Sequence, residues 1–326
     1  MSQFDVRRRL RFRNSRVAAG ILLLAARSVA AATLPLPADG DLIGEYAEVA
    51  ATRDDTLIDL ARRHGLGYEE VVNANPGVDP WLPGEGTIVR LPLRRVLPDV
   101  PREGIVVNLP EHRLYYFPAV KPGEPRVVVT YPVSVGKMDW STPLGLTRVQ
   151  AKIKDPPWYP PESVRAEHAA RGDLLPKMVP PGPDNPLGLY ALRLAIPGGS
   201  YLIHGTNRPA GVGMQVTHGC MRLYPEHIEE FFRMVAVDTP VRIVNQPHKT
   251  GWSDGRLYVE VHPPLEATSS AVVEPDRSSL ARLVANAVRQ RPAGPVEWAR
   301  AEAAFEHADG IPVAVTAADA GARALR

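Results

Sequence analysis

The chain contains a single cysteine, Cys220, within the run Thr217-His218-Gly219-Cys220-Met221-Arg222-Leu223, and a second chemically suggestive word, His204-Gly205-Thr206-Asn207, precedes it. One cysteine cannot form an internal disulfide, so the thiol is inert and buried, paired with another chain, or used. A cysteine nucleophile reacts as its thiolate, which an ordinary thiol with a pKa of about 8.5 scarcely populates at neutral pH. A histidine that takes the proton removes that obstacle. Two histidines are candidates, His204 and His218. Residues two apart share a face only in a strand, so the closeness of His218 in sequence does not make it the base. Gly219 lets backbone amides approach a reacting carbonyl, which makes the Gly219 and Cys220 N–H groups candidate oxyanion donors. Such a donor contributes about 3–4 kcal/mol in acyl transfer. Arg222 offers a fork suited to a substrate carboxylate. His204, His218 and Cys220 are zinc-ligand types, but His-x-Cys is an unusual pair and no fourth ligand stands at a recognisable spacing, so no metal is expected.

These words resemble those of the YkuD (ErfK/YbiS-like) L,D-transpeptidases, whose pattern is a His-Gly word, a gap, then Ser/Thr-x-Gly-Cys-x-Arg. The resemblance spans residues 104–245. Ser141-Thr142-Pro143-Leu144-Gly145, Pro156-Pro157-Trp158-Tyr159-Pro160-Pro161 and Asn185-Pro186-Leu187-Gly188 reinforce it. It implies a YkuD-type β-sandwich, with Cys220 as nucleophile, His204 as general acid/base, and the Gly205 carbonyl orienting the imidazole. It places His218 and Gly219 in supporting or oxyanion roles, and Arg222, Trp158 and Thr217 as substrate-binding candidates. Trp158 among prolines has a plain packing role as its other reading. The implied substrate is a peptidoglycan stem peptide, with a second stem, an envelope lipoprotein lysine, a D-amino acid or water as acceptor, and the implied location is the periplasm. No cofactor is expected. Papain-like and NlpC-like peptidases place the cysteine before the histidine, the reverse of the order here. A non-enzymatic wall-binding protein would have no need of both groups.

The elements that must position these groups are mostly strands. Segments 105–108, 113–117, 125–134, 146–154, 191–196 and 201–203 are rich in Val, Ile and Tyr and bounded by Pro, Gly or Asn. Residues 239–244 and 257–261 continue the series. Residues 225–234 form a helix with Ile228, Phe231, Phe232 and Val235 on one face. The 34 prolines and 26 glycines fit many short strands. The class is mainly β, a sheet with a helix against it.

Upstream, residues 44–95 read as strand, helix, helix, strand, with Asp54 or Asp55 as the first helix cap. This order, together with Asp55-Thr56-Leu57, Asn73-Ala74-Asn75-Pro76 and Pro83-Gly84, resembles a LysM module and implies glycan binding. Residues 33–43 read as a linker and 96–103 as a hinge. Residues 1–32 read as an export signal: arginines at 7, 8, 9, 11, 13 and 16, the apolar run Val17–Ala26, then small residues. Residues 246–326 form an extension, with two amphipathic helices expected at 279–288 and 296–306 and a poorly ordered end from 307. The net charge of +2 with no basic groove argues against nucleic acid. The absence of GxGxxG and P-loop words argues against a nucleotide.

Overall fold

The β-rich middle of the chain forms one mixed sheet that is folded over on itself. The computed structural model describes residues 32–137, 142–265, 276–291 and 293–317. The export-signal reading therefore lies outside the described residues, apart from Ala32. The N-terminal elements are β1 (Ala32–Pro35), β2 (Leu42–Ile43), β3 (Ala47–Ala50), α1 (Leu57–Arg63), α2 (Tyr68–Ala74), β4 (Ile88–Leu91) and β5 (Arg95–Val96). The central ones are β6 (Gly104–Asn108), β7 (Arg113–Phe117), β8 (Val127–Pro132), β9 (Val135–Gly136), β10 (Gly145–Lys154), α3 (Glu162–Ala169), β11 (Tyr190–Leu194), β12 (Leu202–His204), β13 (Gln215–Thr217), β14 (Met221–Arg222), α4 (Pro225–Met234) and β15 (Pro240–Val244). The C-terminal ones are β16 (His248–Ser253), β17 (Arg256–Val261), α5 (Arg277–Gln290), α6 (Trp298–His307) and β18 (Val313–Ala314).

The mainly β class is the one expected. The nine-stranded sheet runs β1-β8-β7-β6-β15-β10-β11-β12-β14. Its corner is β10, which pairs with β15 through Gly145–Arg148 and with β11 through Val149–Lys154, with a register shift between Val149 and Ala151. An irregularity of this kind bends a strand and lets one ladder serve two layers. The layers enclose a core that joins Ile105, Leu114 and Tyr131 on one side to Leu192, Ile203 and Met221 on the other. Helix α4 fills it with Ile228 and Phe231, and each such side chain contributes about 1.5–3 kcal/mol on burial.

Residues 44–95 show the β-α-α-β order, with β3 and β4 antiparallel around Leu57, Leu60, Val71 and Leu91. The cap differs from expectation. Thr56 caps α1 in a capping box with Asp59. Asp55 instead accepts from Thr52 N–H at 2.8 Å and pairs with Arg63, which holds its carboxyl at about 2. The segment read as a linker carries β1, an edge strand on β8, and β2, which pairs with β5 at the start of the supposed hinge. The predicted C-terminal helices are present as α5 and α6, packed on β17 over Leu257, Val259, Val284 and Phe305. The chain after residue 307 also supplies β18, paired with β17, while residues 318–326 lie outside the described residues.

Buried charges join these three parts. Glu70 of α2 meets Arg95 at 2.9 Å and Arg113 of β7 at 2.5 Å. Glu111, in the β6–β7 turn, meets Lys249 of β16 at 2.9 Å, and Lys249 meets Glu260 of β17 at 2.7 Å. Burial alone would raise the Glu70 carboxyl, but the two guanidiniums reverse this and hold it below the usual carboxylate range. Its ion pairs therefore stabilise the fold above the unfolded carboxyl value of about 4.3, and the contribution is lost as pH falls through the lower folded value.

Replacing Glu70 by Gln leaves two guanidiniums in the interior without a counter-charge and is expected to destabilise the chain by about 3–5 kcal/mol. Urea unfolding of both proteins checks this. The wild-type midpoint should fall below about pH 4, with a shallower acid slope in the variant.

Candidate active site

Parallel pairing between β12 and β14 builds the site. His204 lies opposite Arg222, and Ile203 opposite Met221. Ile203 and Met221 face the core, so His204 and Arg222 share the other face. Cys220 directly precedes β14, and its thiol lies by the Leu202 backbone of β12 and feels the Arg222 charge that also acts on His204. The cysteine and the histidine are thus carried by neighbouring strands around Arg222. Strand β14 is held on both edges: Leu223 N–H donates to His204 O at 2.9 Å, and Arg222 N–H donates to Ser134 O at 3.2 Å.

His204 is buried, and its Nδ1 lies 2.6 Å from Gly205 O. A carbonyl only accepts, so Nδ1 carries the proton and Nε2 keeps its lone pair. Burial, followed by the nearby Arg222 charge, pushes the imidazole down to about 3, so the ring is neutral at physiological pH. Gly205 has no room for a side chain without displacement: a Cβ would lie 3.0 Å from Ile228 Cγ2.

Cys220 is partly exposed, yet protein surrounds the sulfur closely enough to make its charge costly. Burial pushes the thiol up, and the Leu202 backbone and Arg222 only partly offset this. The resting pair is thus thiol and neutral imidazole rather than an ion pair. Arg222 is pulled down by burial, and its buried Nε has no protein partner among the described residues. Arg208 adds a second positive charge nearby.

The loop that carries Cys220 is held by two threonines. Thr142 Oγ1 donates to Gly219 O at 3.0 Å, and the fully buried Thr217 donates to Cys220 O at 2.5 Å. In a planar trans peptide the C=O and N–H point in opposite directions. Fixing the Gly219 carbonyl on Thr142 therefore turns the Cys220 N–H the other way. Gly219 sits at φ +91°, a conformation that L side chains rarely adopt.

His218 turns elsewhere. Its Nε2 meets Glu167 of α3 at 3.0 Å, which fastens the loop to that helix. Trp158 pairs its main chain with Val179, at 2.9 and 2.8 Å. Asn185, fully buried, donates to Pro156 O at 2.8 Å and accepts from Leu187 N–H, so the proline loop is fastened to the turn whose Gly188 packs against Gly205. Sequence reasoning assigned no role to Thr142 or Asn185, although both lie in the quoted words. Neither of two cavities, of about 440 and 810 Å³, is lined by Cys220 or His204. Among the described residues, three potential metal ligands converge at Glu111, Glu260 and His262, and the Lys249 ammonium already bridges both of those carboxylates.

The model of the YkuD L,D-transpeptidase catalytic domain matches residues 102–243. Two Escherichia coli K12 proteins, described as the probable L,D-transpeptidases YcfS and YbiS, are each 41% identical, over 72% and 74% of this chain and 73% and 79% of their own. The E. coli K12 protein ErfK/SrfK, described in the same way, is 38% identical over 90% of this chain and 94% of its own. The chain belongs to the YkuD family of L,D-transpeptidases. As an L,D-transpeptidase it is an enzyme, and the family acts on peptidoglycan stem peptides. The solved catalytic domain of an Enterococcus faecium L,D-transpeptidase, 22% identical, is covered in full by 45% of this chain with a TM-score of 0.32. No described helix is long and apolar enough to cross a membrane.

Two outcomes are expected at this site. Alkylation of Cys220 by iodoacetamide should keep accelerating above pH about 8.5, where an ordinary thiol is half ionised, because its pKa is raised. A rate already level at neutral pH would show a preformed thiolate. Thr142→Val, which leaves the Gly219 carbonyl unheld, should lower kcat about tenfold while KM stays within about twofold.

Proposed function

We propose that Cys220 attacks the carbonyl of the third residue of a tetrapeptide stem. Its proton passes to His204 Nε2 as the C–S bond forms. The oxyanion is met by the Cys220 and Gly219 N–H groups, the former aimed by the Thr142 clamp. The C–N bond to the terminal D-alanine then breaks, and His204 returns the proton to the leaving amine. An acceptor amine attacks the resulting thioester, His204 takes its proton, and the sulfur is released as the thiol. The acceptor is an amine of a second stem, giving a 3→3 cross-link, or a lysine of an envelope lipoprotein. Arg222, with Arg208 beside it, binds a substrate carboxylate or carbonyl. Trp158 acts at the substrate side, whereas Thr217, expected there too, is fully buried with its hydroxyl on Cys220 O and holds the loop instead. The observation that carries this reading is a neutral His204, its Nε2 lone pair left available by Gly205, on the strand beside the one that Cys220 leads into, with Arg222 acting on both groups.

The proposed organisation is a signal at 1–32, a LysM-like glycan module at 44–95, a catalytic domain at 104–245 and an extension after it, acting in the periplasm. The loop between α2 and β4 supports the glycan role: it exposes Trp81 (60%) and Leu82 (77%), an apolar ledge suited to a sugar face.

Incubation with defined tetrapeptides, with and without acceptor amines, and mass spectrometry of the products tests the chemistry. D-alanine release and a Cys220-linked acyl-enzyme are expected, both lost in Cys220→Ala. Intact tetrapeptide with wild-type enzyme rejects the proposal, and release without transfer makes water the acceptor. Trp81→Ala should weaken sedimentation with sacculi about 5- to 30-fold, about 1–2 kcal/mol, with unchanged turnover of soluble tetrapeptide.

A further inference from the structure

The strand that leads into the nucleophile loop is short. Strand β13 has three residues and pairs on one side with the two-residue β9. Met214 O, just before β13, accepts from Val135 N–H on that side at 3.1 Å. The next N–H, of Gln215, points to the opposite side, where no described strand pairs with β13. The partner it finds is Glu69 of α2, whose Oε1 accepts from Gln215 N–H at 3.2 Å. The other oxygen, Oε2, lies 3.0 Å from His112 Nδ1 in the β6–β7 turn. The carbonyl of His112 accepts from Val133 N–H at 2.8 Å, one residue before Ser134, which flanks β14.

The first turn of α2 is docked at the same place. Tyr68 N–H donates to Val212 O at 3.0 Å and Glu69 N–H to Gly213 O at 3.3 Å, so two of the helix's orphan N–H groups are satisfied by the approach to β13. Gly67 and Gly213 bring the two backbones together. A Cβ on Gly213 would stand 2.4 Å from Gly67 Cα, and Gly213 sits at φ +85°.

We infer that Glu69 is a positioning residue for the transpeptidase reaction: the N-terminal βααβ unit, through its carboxylate, fixes the register of β13 and so places Thr217, Gly219 and Cys220. This rests on Cys220 being the nucleophile. The unit proposed to hold glycan is thereby also a structural part of the active site, joined to it by hydrogen bonds rather than tethered beside it.

The test uses the full chain and soluble tetrapeptide. Glu69→Ala should lower kcat at least about fivefold with KM within about twofold. Glu69→Gln keeps an oxygen for Gln215 N–H and should restore kcat to within about twofold of wild type. Arg62→Ala removes a different contact of the same unit, the two-pronged ion pair to Glu226 of α4 at 2.9 Å, in which β13 takes no part. It should lower the thermal midpoint yet keep kcat within about twofold. Glu69→Asp, one methylene shorter, serves if Glu69→Ala does not fold, and should be slow as well. The inference is overturned if Glu69→Ala (or Glu69→Asp in its place) turns over like wild type, if Glu69→Gln is as slow as it, or if Arg62→Ala is equally slow. Activity persisting in Cys220→Ala would instead reject the nucleophile assignment, whatever the Glu69 variants show.

Discussion

Six buried charges are the constraint around which the rest of this chain is arranged. Glu70, Glu111 and Glu260 supply three negative charges, and Arg95, Arg113 and Lys249 supply three positive ones. All are withdrawn from solvent. An ion in a protein interior costs several kcal/mol unless it is paired and hydrogen-bonded, so none of these residues can be given up alone. Tyr115 donates to Glu111, Val96 N–H to Glu260, and Lys249 also donates to Val96 O at 2.6 Å, while the buried Arg95 Nε has no hydrogen-bond partner among the described residues. The members come from the N-terminal unit, the central sheet and the C-terminal extension. Segments that look separable in the sequence are therefore electrostatically one body. Arg113 shows the tension within the cluster: burial first, and then the Arg95 charge, pulls it down, while Glu70 holds it up.

The candidate site follows the opposite rule. Its neutral histidine, protonated thiol and underpaired arginine leave net positive potential, which suits the substrate carbonyl or carboxylate proposed for it. Main-chain groups carry much of the geometry. The Gly205 carbonyl sets the imidazole tautomer, and two threonine hydroxyls set the peptide planes on either side of Cys220. Preorganised dipoles of this sort need little rearrangement when charge develops in the transition state. The surrounding loops are clamped accordingly, with Asn185 collecting three carbonyls on the histidine side and His218 tied to Glu167 on the cysteine side.

What could be read from the residues was what is local or chemically distinctive. Cys220 and His204 stood out by type and order. The long strands and α4 showed their period, and so did α5 and α6. The βααβ order was visible between its Gly and Pro stops. The pieces that escaped are those whose partners are distant or whose length is below one period. Thr142 reads as an ordinary loop residue until the fold places the Gly219 carbonyl 77 positions away against its hydroxyl. Strands β9, β13 and β18 are too short to alternate, and β16 has Gly251 in its middle. Helix α3 follows two prolines and buries only Val164, so it has no apolar stripe to announce it. His112 and His262 carry no signal in the sequence because nothing in their neighbourhood in the chain names Glu69 or Glu260. Residues 33–43 read as a linker because an edge strand such as β1 needs a partner from nearly a hundred residues further on.

The bridge made by Lys249 also bears on the order in which the protein is assembled. A ribosome releases Glu111 well over a hundred residues before the ammonium that neutralises it. While the intervening chain is being made, any packing that seals β6 and β7 before β16 has arrived would bury that carboxylate without its cation, so the growing polypeptide gains by leaving this seam wet and open. Closure waits for the last third of the chain, where β15, which joins β6 to β10, and Lys249 follow one another within a few residues, so the strand that completes the sheet and the cation that lets it be sealed arrive together.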